Sequence, residues 1–380
     1  MVKKKNNIHI VGTGTIGLPL IGLFTRHKKS FDIDEVTFHK NTPLKHDIPN
    51  VKKLLKAGAK LCTDDSKFED FSNLGTIPTY NRAEAIENAD VIIDCTPRGT
   101  ALKHKKDYYL PNYLRFINSK DKERFYIAQG SEKGFGKIYA HGINDKALNK
   151  NDNFLQIASC NTHAGASLIN TLSKLGDIAS SNFVYIRRSN DISQNSSMTP
   201  SIDVDGHKDW LYGTHHARDI HDVFKTLEQE INVYSSACKI NTQLMHTLQF
   251  NIIINSDKKI NIQDVVGALS ENRMIATTNH TTANKIFSHG REFGHYGRIL
   301  NHVVVPLEPI SCRLINAVRF IGQDTDGNKQ YSITGFAYTP QDGNSLLSSV
   351  AAALWFLNDR SWGQTNKKLQ TLKKYLFQEI

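Results

Sequence analysis

Two groups of residues in this chain have types and spacing that could do chemistry together. One is the glycine turn Val11-Gly12-Thr13-Gly14-Thr15-Ile16-Gly17, and the other is Ser159-Cys160-Asn161-Thr162, far downstream. A thiolate is a strong nucleophile and forms covalent thioesters. A dinucleotide held on a glycine turn supplies a hydride acceptor. The two together suit the oxidation of an aldehyde through a cysteine-bound thioester. His246, in Gln243-Leu244-Met245-His246, lies much further on beside a strand-like run, and taken alone it suits a satisfied core histidine.

The turn has the form GxGxxG between a strand-like run, Ile8 to Val11, and an apolar helical run, Ile16 to Thr25. The first glycine permits the tight turn and the second lets a pyrophosphate approach the backbone. The third lets helix and strand pack closely. The phosphates would sit on free amides at the helix start. A strand at Glu35 to Phe38 ends in His39-Lys40-Asn41-Thr42-Pro43, with no carboxylate to hold a ribose 2′-hydroxyl. Lys40 and Thr42 suit a 2′-phosphate instead, which favours NADP slightly over NAD.

Cys160 precedes a helical stretch, Ala164 to Leu175, whose leading amides would favour a thiolate and an oxyanion. Arg187-Arg188 follows a strand, and His215-His216 is expected on a loop. Both pairs suit a phosphate group. His207, His215, His216 and His221 have no standard metal-ligand spacing, and no metal is expected.

The elements that must position these groups fall into two patterns. The first 150 or so residues alternate strands with helices at Asn50 to Ala57 and Ala83 to Glu87, and with strands at Asp90 to Asp94 and Phe125 to Ala128. That alternation predicts an α/β domain with a doubly wound, Rossmann-type parallel sheet. After Cys160, strands at Phe183 to Arg187, Leu248 to Ile254, Val303 to Pro306 and Tyr331 to Ala337 predict an α+β catalytic domain with a mostly antiparallel sheet. Gly343 to Leu357 has helical spacing and is expected to return to the nucleotide domain. The expected division is residues 1–159 with 341–380 for dinucleotide binding, and 160–340 for catalysis and oligomerisation. Ser193 to Pro200 reads as a polar loop.

The chain has 380 residues, 39% of them hydrophobic, and a mean hydropathy of −0.41. It carries no apolar run long enough to span a membrane and no extended apolar leader, so a cytoplasmic location is expected. Five scattered cysteines without a CxxC pair suit reduced thiols rather than a disulfide framework. The net charge of +10 favours anionic ligands, with nucleic acid only as a side activity.

Taken in order, the motifs resemble the archaeal-type glyceraldehyde-3-phosphate dehydrogenases. They are GTGTIG at Gly12 to Gly17, KNTP at Lys40 to Pro43, DCTPRG at Asp94 to Gly99 and QGSEK at Gln129 to Lys133. SCNT at Ser159 to Thr162, IRRSND at Ile186 to Asp191, THHARD at Thr214 to Asp219 and NTQLMH at Asn241 to His246 follow. The resemblance implies Cys160 as nucleophile and His246 as base, with Asn161, Thr162, Arg188, His215 and His216 contacting substrate or inorganic phosphate. It implies Gly12, Thr13, Gly14, Thr15, Ile16, Gly17, Lys40, Asn41, Thr42, Pro97, Gly99 and Gly130 along an NADP or NAD cleft, and a homotetramer. The implied activity is phosphorylating oxidation of a small phosphorylated aldehyde to an acyl phosphate. A related cysteine-dependent semialdehyde dehydrogenase, or a non-catalytic homologue that binds nucleotide or nucleic acid, are the alternatives. The chain departs from the family pattern at His163, at Gln194 to Met198 and at Tyr338 to Gln341.

Overall fold

In a computed structural model, residues 6–119, 123–130, 132–189, 201–207, 209–242, 244–315, 329–340 and 342–380 are described. Gln243, Gln341 and the expected loop at Ser193 to Pro200 lie outside them. Two compact units result. The first comprises Met1–His141, Leu148–Ile157 and Leu346–Leu372, and the second Gly142–Ala147, Ala158–Ser345 and Lys373–Ile380.

The first unit is built on a parallel sheet of eight strands: β1 (Asn7–Val11), β2 (Glu35–His39), β3 (Lys60–Thr63), β4 (Tyr80–Asn81), β5 (Val91–Asp94), β6 (Phe125–Ala128), β7 (Lys137–Tyr139) and β8 (Phe154–Ile157). Their spatial order is β4-β3-β2-β1-β5-β6-β8-β7. Chain order therefore reverses between β1 and β5, which is where doubly wound sheets open a crevice at the carboxyl ends of their strands. The central strands are buried from end to end, as Val91–Asp94 and Phe125–Ala128 show. Such strands must read as continuous apolar runs, and these do. Helices α1 (Gly17–Arg26), α2 (Ile48–Lys56), α3 (Phe68–Asn73), α4 (Arg82–Asn88), α5 (Thr100–His104) and α6 (Leu110–Ser119) connect them. The short strands β3, β4, β7 and β8 have too little apolar length to announce themselves in the sequence.

The second unit holds a mixed sheet of β9 (Asp177–Arg187), β10 (Asp203–Val204), β11 (Val233–Lys239), β12 (His246–Ser256), β13 (Ile275–Thr278), β14 (Val303–Pro306), β15 (Ser311–Leu314) and β16 (Lys329–Thr339). Most pairings are antiparallel, including the long β9–β12 and β12–β16 ladders, whereas β9–β11 and β13–β14 are parallel. Helices α7 (Cys160–Leu172), α8 (His215–Lys225), α9 (Ile262–Glu271) and α10 (Ala283–Phe293) belong to this unit. The sheet and the first three helices share one core, with Leu168, Ile220, Leu269, Phe250 and Ile252 fully buried. Helix α11 (Gly343–Leu357) passes from the second unit into the first, where α12 (Trp362–Leu369) follows. No helix among the described residues is long and apolar enough to cross a membrane.

The glycine turn depends on close backbone approach. Gly12 has φ +97°, and a Cβ on Gly17 would stand 2.1 Å from the Gly12 carbonyl oxygen. Replacing Gly17 by alanine forces that contact apart. The variant is expected to lose about 1–3 kcal/mol of stability, seen as a lower urea midpoint. An unchanged midpoint would show that the turn relaxes freely.

Candidate functional site

The catalytic candidates of the second unit are positioned by α7, the end of β9, the start of α8 and the start of β12. Helix α7 begins at Cys160, earlier than the sequence suggested. Ser159 is extended and caps the helix by accepting the Thr162 amide. The Ser159 and Thr162 hydroxyls lie 2.8 Å apart. Asn344 Nδ2 donates to the Cys160 carbonyl at 3.0 Å. Gly165, one turn on, leaves α7 no room to shift, because a Cβ there would meet Ile220 Cδ1 and the Tyr185 hydroxyl, each at 2.6 Å. A cysteine at a helix start meets free amides and the positive end of the dipole, which favours its thiolate.

His215 and His216 open α8 rather than lying on a loop. Thr214 is the cap, accepting the His216 amide, and its hydroxyl also bonds Ser235 on β11 at 2.6 Å. Gly213, at φ +72°, permits the close approach to β11 that this start requires. His246 is the first residue of β12.

A cavity of about 250 Å³ is lined by Cys160, Asn161, Arg188, His215, His216 and His246, six of the residues expected from sequence. It also takes in Ser159, Arg187, Ser189 and Lys239. Thr162 is fully buried and serves the helix cap instead. Ser189 lies in the IRRSND run without having been singled out, and Lys239 had no motif to signal it. Lys239 reaches the cavity because the parallel register pairs it with Arg187.

Hydrogen bonds set the protonation of this cavity. The Arg188 amide donates to His246 Nδ1 at 3.0 Å. Nδ1 is therefore the lone-pair nitrogen, and neutral His246 carries its proton on Nε2. Burial, then the Arg188 and Arg187 guanidiniums, hold the His246 pKa well below its ordinary value. His216 is lowered in the same way by burial and by His215. Asn161 Oδ1 accepts from Thr339 at 3.0 Å, and its Nδ2 stands 3.4 Å from His216 Nε2. Arg187 bonds both oxygens of Asp205 at 2.5 and 2.6 Å. Arg188 reaches Asp342 at 3.3 Å. Asp342 sits at φ +59°, a left-handed conformation that aspartate tolerates better than most residues. His163, where the chain departs from the family pattern, is buried against His302 and bonds the Ser159 carbonyl at 3.0 Å.

The nucleotide candidates of the first unit all lie at the carboxyl edge of the parallel sheet. Gly12 to Gly17 follow β1, Lys40 to Thr42 follow β2, Pro97 and Gly99 follow β5, and Gly130 follows β6. A Cβ on Gly14 would meet nothing within 4 Å, so the turn leaves open space where a pyrophosphate would approach. Ile16 caps α1 without a side-chain hydrogen bond. Lys40 Nζ is 2.6 Å from Asp47 and 3.5 Å from the Thr13 hydroxyl. Asn41 bonds Asp64. Gly99 has φ +85° and donates its amide to Glu132. Thr42 and Pro97 are exposed. Burial alone would push the Asp94 pKa up, but hydrogen bonds from His104, Thr96 and Tyr109 hold it below the usual carboxylate range. That carboxylate ties α5 and the residues after β5 to the end of the strand. The glycine geometry fits a dinucleotide.

Buried neutral histidines make stability depend on pH. Burial lowers His9 to about 3 and His39 to about 4. The unfolded chain takes up protons at these histidines below its own pKa near 6.5, and the folded chain does not. Stability is therefore full above about pH 6.5 and falls as pH drops toward the folded values. Each such histidine costs about 1.4 kcal/mol per pH unit in that window. The urea midpoint should fall clearly between pH 7.5 and 5.5, and a midpoint that rose on acidification would contradict the neutral assignments.

No family model matches the chain. It is 28% identical over 210 residues to a glyceraldehyde-3-phosphate dehydrogenase of Picrophilus torridus, covering 52% of this chain and 53% of that protein. That match thus spans about half the relative's length. A Sulfolobus acidocaldarius protein of the same name is 25% identical over 389 residues, covering 99% of this chain and all of the relative. A third, from Methanocaldococcus jannaschii, is 22% identical over 252 residues, covering 65% and 69%. Along nearly its whole length, then, the chain resembles the archaeal-type glyceraldehyde-3-phosphate dehydrogenases, as a divergent relative of them.

Proposed function

We propose that the chain is a phosphorylating, nicotinamide-dependent aldehyde dehydrogenase that acts on glyceraldehyde 3-phosphate. The observation that carries this reading is the cavity itself. It combines a cysteine at a helix start, an imidazole N–H donor and the cationic side chains Arg187, Arg188 and Lys239. The name shared by the relatives agrees with it.

In this scheme the Cys160 thiol loses its proton to solvent, and the thiolate sulfur attacks the aldehyde carbon. The carbonyl oxygen becomes an oxyanion, held by the leading amides of α7. His246 enters differently from the base expected at first. Its Nδ1 is occupied by the Arg188 amide and its imidazolium is disfavoured, so it acts through Nε2–H as a donor to the developing charge. A bound nicotinamide dinucleotide supplies the acceptor for the hydride that leaves the former aldehyde carbon. The product is a thioester on Cys160. An oxygen of inorganic phosphate, placed by the cavity cations and by His215 and His216, attacks the thioester carbon. The carbon–sulfur bond breaks, which frees the acyl phosphate and restores the thiolate.

Lys40 is assigned to the 2′-phosphate of NADP, because no carboxylate follows β2 to bind a free ribose. Its bond to Asp47 shares that charge, so the preference over NAD is modest. Lys40→Ala should weaken NADP binding by more than NAD binding in fluorescence titrations, and equal losses would remove the assignment.

Purified protein given glyceraldehyde 3-phosphate and either cofactor should show phosphate-dependent nicotinamide reduction at 340 nm. Cys160→Ser should abolish turnover and keep cofactor binding; surviving turnover would exclude the nucleophile. His246→Ala should slow turnover roughly 100- to 1,000-fold. His246→Gln keeps an N–H donor and should recover at least part of that loss. Equal rates for the two variants would restore a proton-accepting role.

A further inference from the structure

Three metal-ligating side chains of the first unit share one face of three adjacent strands. His9 lies on β1, His39 ends β2 and Cys62 lies on β3. The register sets His39 beside both Val11 and Cys62, with His9 two residues before Val11. One ligand atom from each lies within 4.8 Å of the others. His39 Nδ1 and Cys62 Sγ are 3.3 Å apart. Tetrahedral zinc, with bonds of about 2.0–2.3 Å, needs nitrogen–sulfur separations of about 3.5 Å. That pair already has the spacing, and a ring nitrogen of His9 lies within 4.8 Å of both.

His9 supplies the independent observation. It is fully buried. Its Nδ1 stands 2.7 Å from the Thr37 hydroxyl, which itself donates to the Ile8 carbonyl at 3.4 Å. A hydroxyl so engaged accepts from the ring, which places the proton on Nδ1 and a lone pair on Nε2. That Nε2 has no hydrogen-bond partner among the described residues. Leaving it so costs about 1–3 kcal/mol. A histidine that donates through one ring nitrogen and offers the other is the usual arrangement of a metal ligand. Next to it lies a cavity of about 10 Å³ bounded by His9, His39, His104 and Tyr109, which is room for one water. Arg82 approaches His39 Nε2 at 3.5 Å, but its guanidinium is held by both oxygens of Asp64 at 2.8 and 2.9 Å.

We propose that His9 Nε2, His39 Nδ1 and Cys62 Sγ bind one divalent metal ion of the zinc class, with water as the fourth ligand. On binding, the Cys62 S–H bond breaks, a sulfur–metal bond forms and the proton goes to solvent, with no change of oxidation state. Binding through Nδ1 places the His39 proton on Nε2, on the side where Asp64 stands at 3.7 Å. The ion would pin β1, β2 and β3 together at the edge where the glycine turn begins. No spacing in the sequence announces this site, because strand pairing alone brings the three residues together.

The test uses the full chain freed of metal by chelator and titrated with cobalt(II). The Cys160→Ser background removes the reactive thiol of the catalytic cavity. A thiolate-to-cobalt absorption band that saturates near one ion per chain is expected there, and it should vanish when Cys62→Ser is added. Absence of the band, or its persistence without Cys62, overturns the proposal. His9→Gln keeps a polar group in place and should weaken cobalt binding at least tenfold. An unchanged affinity also overturns it, and this variant decides the matter if circular dichroism shows Cys62→Ser unfolded.

Discussion

The hydrogen bond from the Arg188 amide to His246 Nδ1 is the constraint on which the candidate catalytic cavity rests. It exists because β9 and β12 pair antiparallel, with Thr247 opposite Ile186, so that the residue after β9 meets the residue that starts β12. One backbone donor then decides the tautomer of the imidazole, and with it whether that ring gives or takes a proton. The same residue sends its side chain to Asp342. A shift of the β9–β12 register by one residue would put His246 on the opposite face of the sheet.

Burial acts on both units in the same direction. The rings of His9, His39, His216 and His246 all favour the neutral form, and the Cys62 thiol is pushed up to about 12. Neutral imidazoles beside several guanidiniums avoid adding like charge to a basic protein. They also keep nitrogen lone pairs for hydrogen bonding or for a metal ion. Asp94 is the counterexample. It is just as buried, yet it stays ionised because three side chains donate to it.

Much of the frame was legible in the chain. Ile8 to Val11, Asp90 to Asp94 and Phe125 to Ala128 read as strands because they are short, mostly apolar runs between helical segments. The glycine turn read correctly because its spacing reports backbone geometry directly. The start of α8 was hidden, since two histidines suggest a loop, while the signal that mattered was Thr214 as a cap before Ala217, Ile220 and Phe224 at helical spacing. The place of Lys239 in the cavity and the meeting of His9, His39 and Cys62 depend on strand register. No local pattern encodes register between strands far apart in the chain.

The pairing of Arg187 with Asp205, and of Arg188 with Asp342, means that this cavity carries its own counterions. An incoming phosphate would exchange with fixed carboxylates of the protein as well as with dissolved salt. The gain on binding is then the difference between two anions in one place, which discriminates a doubly charged, three-oxygen group from a single carboxylate. It also spares the empty cavity the repulsion of adjacent bare cations. In the proposed reaction, selectivity for phosphoryl groups would then be a property of ion exchange within the fold rather than of positive charge alone.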